Sequence, residues 1–160
     1  MAEVKGSLRV RGSLEVGGDW GVVYQAVGYD NSAGGNQAVA DTTLTYITGL
    51  TQKDFPDEPD GVKTYLMTAV ANFIHTNNNG YVLLYLYSGP GAGLDTEASM
   101  RAHNYVPADE EGQLKVSGIV TPGVDEKASV AIQTEAGGLT IQGGGTHDTL
   151  MCTLVITRLT

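Results

Sequence analysis

Three histidines, a single cysteine and a few clustered carboxylates are the side chains of this 160-residue chain with chemistry to offer. His75, His103 and His147 include no pair at the i, i+2 or i, i+4 spacing that sets two imidazoles on one metal ion, so zinc is not expected. His75 and His147 fall at strand–loop junctions, where an exposed polar side chain needs no special purpose. Alanine at any of the three is expected to leave assembly intact. Cys152 lies among aliphatic residues with no basic neighbour to favour its thiolate, and the chain has no G-x-S-x-G sequence. It reads as a small core hydrophobe.

Gly89-Pro90-Gly91-Ala92-Gly93 follows a strand-like run, as a phosphate loop would. No helix follows it, the Lys-Ser/Thr pair is missing, and Pro90 removes a backbone donor, so it reads as a turn. Asp54, Asp57, Glu58 and Asp60 form the densest acidic group, and oxygen-rich loops suit calcium. The EF-hand pattern is absent, and Pro56 and Pro59 point to a rigid surface loop instead. Asp109-Glu110-Glu111 reads as a solvated turn, because paired glycosidase carboxylates would need an aromatic-walled cleft. The expectation is a protein with no catalytic residue, no cofactor and no metal, and therefore not an enzyme.

The elements that must carry these residues are strands. Alternating apolar and Thr-rich runs read as strands over 20–28, 39–47, 61–75, 81–87, 96–105, 113–121, 127–134, 139–142 and 150–159. Loop chemistry separates them: residues 28–36, the Asn77-Asn78-Asn79-Gly80 turn, Ser88-Gly89-Pro90-Gly91, Pro122-Gly123 and Gly143-Gly144-Gly145. Many short strands punctuated in this way indicate an all-β sandwich or barrel. The run Tyr81-Val82-Leu83-Leu84-Tyr85-Leu86-Tyr87 is apolar or aromatic on both faces, where a strand with one wet face would alternate. Tyr81, Leu83, Tyr85 and Tyr87 thus need a cover, either a neighbouring subunit or a loop of the same chain.

The first eighteen residues hold an internal repeat, Gly6-Ser7-Leu8-Arg9-Val10-Arg11 followed by Gly12-Ser13-Leu14-Glu15-Val16-Gly17. Leu and Val two apart share one face of an extended chain. Val4, Leu8, Val10, Leu14 and Val16 fit a stem in which three chains wind together, or a plain hairpin turning at Arg11-Gly12. Residues 1–18 are read as this stem or anchor and residues 19–160 as one domain.

Composition bounds the function. Nine basic against eighteen acidic side chains give a net charge of −9, which argues against a nucleic-acid partner. No apolar run approaches the ~20 residues of a membrane helix. The N-terminus lacks the apolar region of a signal peptide, and a lone cysteine excludes an intrachain disulfide, so synthesis in the cytosol is expected. Lys5, Arg9 and Arg11 put three of the nine basic residues at the start of an otherwise acidic chain, a positive foot suited to an acidic surface.

Residues 6–18 (GSLRVRGSLEVGG) resemble the "GNLTVTGNLTVGG" repeats near the starts of bacteriophage fibre and decoration proteins. Three further phrases, residues 40–50 (ADTTLTYITGL), 114–120 (LKVSGIV) and 153–159 (TLVITRL), resemble in order a trimeric jelly roll of phage virion proteins. The acidic, proline-bearing stretch from Gln52 to Val62 departs from that pattern, which has a shorter turn there. The resemblance implies an antiparallel jelly-roll sandwich preceded by a short extended β segment. It also implies a homotrimer that decorates and stabilises a capsid by binding the major capsid protein at the virion surface, with a host-recognising head-fibre or tail-fibre module as the alternative. On that reading Val4, Leu8, Arg9, Val10, Arg11, Leu14 and Val16 form the stem or capsid anchor, and Tyr81, Leu83, Tyr85 and Tyr87 form the trimer interface.

Overall fold

Side chains that alternate along a strand commit one face to a core, and β4 (Tyr65–His75) shows the rule. Tyr65, Met67, Ala69, Ala71 and Phe73 are all fully buried, whereas Leu66 is exposed and Thr68 and Val70 are half-buried. In the computed structural model, which describes residues 25–32, 35–76, 79–90, 100–143 and 151–160, ten strands follow one another with no helix among the described residues. They are β1 (Ala26–Asp30), β2 (Gln37–Val39), β3 (Thr45–Tyr46), β4, β5 (Gly80–Pro90), β6 (Met100–Val106), β7 (Glu110–Val120), β8 (Glu126–Thr134), β9 (Leu139–Ile141) and β10 (Thr153–Arg158).

Two antiparallel sheets face each other. One has six strands in the order β1-β10-β4-β9-β2, with β7 along the other edge of β4; the second runs β3-β8-β5-β6. The core lies between Met67, Phe73, Leu154, Ile156 and Ile141 of the first sheet and Val82, Leu84, Leu86, Val130 and Ile132 of the second. Each such side chain contributes roughly 1.5–3 kcal/mol when fully buried. The architecture is an antiparallel jelly-roll sandwich, as expected.

Three local expectations are corrected. The strand read over 39–47 is broken into β2 and β3, which belong to different sheets. The turn between them places Thr42 at φ +53°, an uncommon conformation for a β-branched residue. Backbone bonding holds it there, since Thr42 N–H donates to Thr134 O at 3.0 Å. Secondly, Ser88, Gly89 and Pro90 are not a turn. They extend β5 and pair with Ala128, Lys127 and Glu126, because β8 runs alongside β5 from Val82 to Pro90. Thirdly, of Asp109-Glu110-Glu111 only Asp109 lies in the turn, at φ +60°, while Glu110 and Glu111 open β7 opposite His75 and Ile74.

The 1–18 segment, with Val4, Leu8, Arg9, Val10, Arg11, Leu14 and Val16, lies outside the described residues, as does His147.

Candidate functional site

The outer faces of the two sheets differ in chemistry. Along β4, β7 and β10 the outward positions are largely polar, among them Thr68, Gln113, Lys115, Ser117 and Thr157. On the second sheet they are aromatic. Val82, Leu84 and Leu86 of β5 enter the core, and Tyr81, Leu83, Tyr85 and Tyr87 point the other way.

Register decides what joins them. Across the sheet, Tyr46, Ala131, Tyr85 and Arg101 lie in one row, and Gln133, Leu83 and His103 in the next, with Tyr81 opposite Tyr105 at the far end. Tyr46 and Tyr87 bring their ring centroids to 6.0 Å, and Tyr85 stacks on Tyr87 at 6.0 Å with 21° between the planes. Tyr81 meets Tyr105 edge-on at 5.4 Å, with His103 at 6.3 Å from Tyr81. The sheet face therefore carries five tyrosines, two of which, Tyr46 and Tyr105, the sequence does not place there because nothing local reveals their strand partners.

The two ends of this face are in different states. Tyr87 is only 6% exposed, so burial, then the neighbouring Tyr46 and Tyr85, push its phenol up to about 12. Tyr85 is held as well: its hydroxyl donates to Gln133 Oε1 at 3.0 Å, and Gln133 Nε2 donates to Thr42 O at 2.7 Å. At the other end Tyr81 and Tyr105 are 46% and 50% exposed. The chain covers the Tyr87 end itself through β3 and the turn before it, and leaves the Tyr81 end open.

The acidic loop is knitted by cations and backbone. Arg158 Nη1 lies 2.7 Å from Asp57 Oδ2, Lys63 Nζ lies 3.4 Å from the same oxygen, and Lys127 pairs with Asp54. The N–H groups of Lys63 and Val62, each 2.9 Å from Asp60 Oδ1, hold that carboxyl below the usual carboxylate range. The loop borders an open groove of ≈ 410 Å³. No group of three or more metal-binding side chains is gathered among the described residues.

His75 corrects an expectation. It ends β4 yet is 0% exposed, because the odd-numbered face of β4 carries it into the sandwich; its Nε2 lies 3.2 Å from Thr134 Oγ1. His103 is exposed on the tyrosine face. Cys152 is buried in a polar knot. Its backbone N–H donates to Asn31 Oδ1 at 2.8 Å, Asn31 Nδ2 donates to Gln142 O at 2.9 Å, and Asn72 N–H reaches its Sγ at 3.3 Å. Burial pushes the thiol up to about 11, against the opposing hydrogen bond from the Asn72 backbone.

No protein-family model matches the chain, and no curated protein matches it. Among solved structures, Eiger TNF from S. frugiperda is similar at a TM-score of 0.54 and 10% identity, over 86% of this chain and 93% of that one. That likeness is one of fold. A Bacillus endospore appendage, from a family of disulfide-linked pili, is matched over 98% of this chain and 100% of its own at 14% identity and a TM-score of 0.41.

Proposed function

We propose that the protein is a structural, non-enzymatic subunit that assembles as a homotrimer through the tyrosine-lined face of the β3-β8-β5-β6 sheet and decorates a bacteriophage capsid. The observation that carries the assembly is the open Tyr81–Tyr105 end of that face, continuous with Leu83 and Tyr85. Tyrosine supplies large, rigid contact area with a polar tip, which suits interface cores. The phage particle, with its major capsid protein as partner, is supplied by the resemblance of the N-terminal repeat and the strand phrases. The tyrosine face supports the alternative as well: two exposed rings beside His103 fit a module that stacks on a host sugar.

Light scattering tests the assembly. The wild-type chain should run at three times its 16.8 kDa mass at micromolar concentration, and Tyr81→Glu should run as a monomer with an unchanged circular dichroism spectrum. A wild-type monomer that binds glycans through Tyr81 would favour the fibre reading. Co-sedimentation of wild-type protein with undecorated phage heads tests the partner.

A further inference from the structure

Eight large hydrophobic side chains are exposed among the described residues, and two of them are Tyr81 and Tyr105. The other six, Val62, Leu66, Ile119, Val124, Val155 and Leu159, gather at one end of the opposite sheet. Leu66 of β4 and Ile119 of β7 are direct cross-strand partners on the outer face, and Val155 of β10 faces outward one row along, opposite Thr68. The remaining segments meet at the same end: Gly61 N–H donates to Pro122 O at 2.9 Å, and Leu159 N–H donates to Thr64 O at 2.8 Å. Ile119 on the sheet face is 65% exposed, and Val62 in the loop before β4 is 78% exposed. A contiguous apolar patch of this kind marks a contact surface.

The chain itself points to what covers it. Arg158 N–H donates to Gln25 O at 2.7 Å, so Gln25, the first described residue, lies beside β10 near Leu159, at the edge of the patch. From β1 to β7 is three strand spacings, about 14 Å. Val16 lies nine positions before Gln25, an extended reach of roughly 30 Å. The segment has the right chemistry as well. Leu8 and Val10, then Leu14 and Val16, recur two apart, so that an extended chain would present one apolar face. Lys5, Arg9 and Arg11 fall on the other face of such a strand, where they would remain in solvent.

We infer that the N-terminal segment of this chain docks, apolar face inward, on the Leu66–Ile119–Val155 patch of its own sheet. Tethering favours the chain's own segment over a neighbour's, because a short linker holds it at millimolar effective concentration. The inference goes beyond the assembly proposed above and concerns the opposite face of the sandwich.

Trypsin reads it directly, since cleavage after Arg9 and Arg11 requires the segment to leave the surface. In the full-length protein, Leu66→Glu with Ile119→Glu should speed cleavage at these two bonds about tenfold, because proteolysis tracks the open population. The thermal midpoint should be unchanged. Ile119→Ser serves as a milder second variant. Repeating the assay on Tyr81→Glu reads release of the segment separately from loss of the trimer. Equal cleavage rates in wild type and patch variants overturn the inference. So does protection that grows with protein concentration, which would place the segment on a neighbouring copy.

Discussion

Tyr46 and Tyr87 stand with their ring centroids 6.0 Å apart although their strands are not neighbours, since β8 runs between β3 and β5. They meet because β8 presents Ser129 and Ala131 outward at that point, and large rings from either side reach over small ones. The middle strand is thereby buried on both faces, and Ala131 has no exposed surface.

This packing makes the protein sensitive to alkali. Tyr87 ionises only near pH 12 in the fold, against 10.0 ordinarily, so the folded state holds the proton more tightly than the unfolded chain does. The stability this contributes is complete below pH 10 and is lost as pH rises toward 12. Tyr29 and Tyr65, both raised first by burial, act in the same direction. Denaturant midpoints measured across this window should fall for the wild type and fall less steeply for Tyr87→Phe. Parallel slopes would remove Tyr87 from the account.

Gly112 of β7 faces the Phe73 ring so closely that a β-carbon there would lie 2.4 Å from Cε2 and 2.7 Å from Cζ. Phe73 is fully buried and has nowhere to yield. Gly112→Ala should therefore cost about 1–3 kcal/mol, the usual range for overpacking. At roughly 2–4 °C per kcal/mol for a domain of this size, calorimetry resolves it. Phe73→Leu in the same chain should return part of the loss.

Cys152 should be silent to thiol reagents in the native protein. Burial holds its thiol protonated well into the alkaline range, and its sulfur is enclosed near the backbones of Asn72 and Gln142. Labelling at mildly alkaline pH should proceed at the global unfolding rate and accelerate with denaturant as unfolding does. Fast labelling without denaturant would mean that the Asn31–Cys152 knot opens locally.

Much of the fold was legible from sequence because the strand period is local. Alternation alone separates Val82, Leu84 and Leu86 from Tyr81, Leu83, Tyr85 and Tyr87, and the double-sided apolar pattern already demands a second cover. The placement of Cys152 beside Leu154 and Ile156 follows from the same period of two. Strand pairing is not local, and it decided the rest. Only the register of β8 against β3 and β5, and of β5 against β6, brings Tyr46, His103 and Tyr105 to the tyrosine face. Only the assignment of β2 and β3 to different sheets breaks the 39–47 run, since a continuous apolar pattern does not record where a chain changes layers. His75 reads as a polar end-of-strand residue, yet its parity on β4 carries it inside. The patch of Leu66, Ile119 and Val155 is invisible in sequence for the same reason: its members lie far apart along the chain, and two antiparallel pairings are what set them side by side.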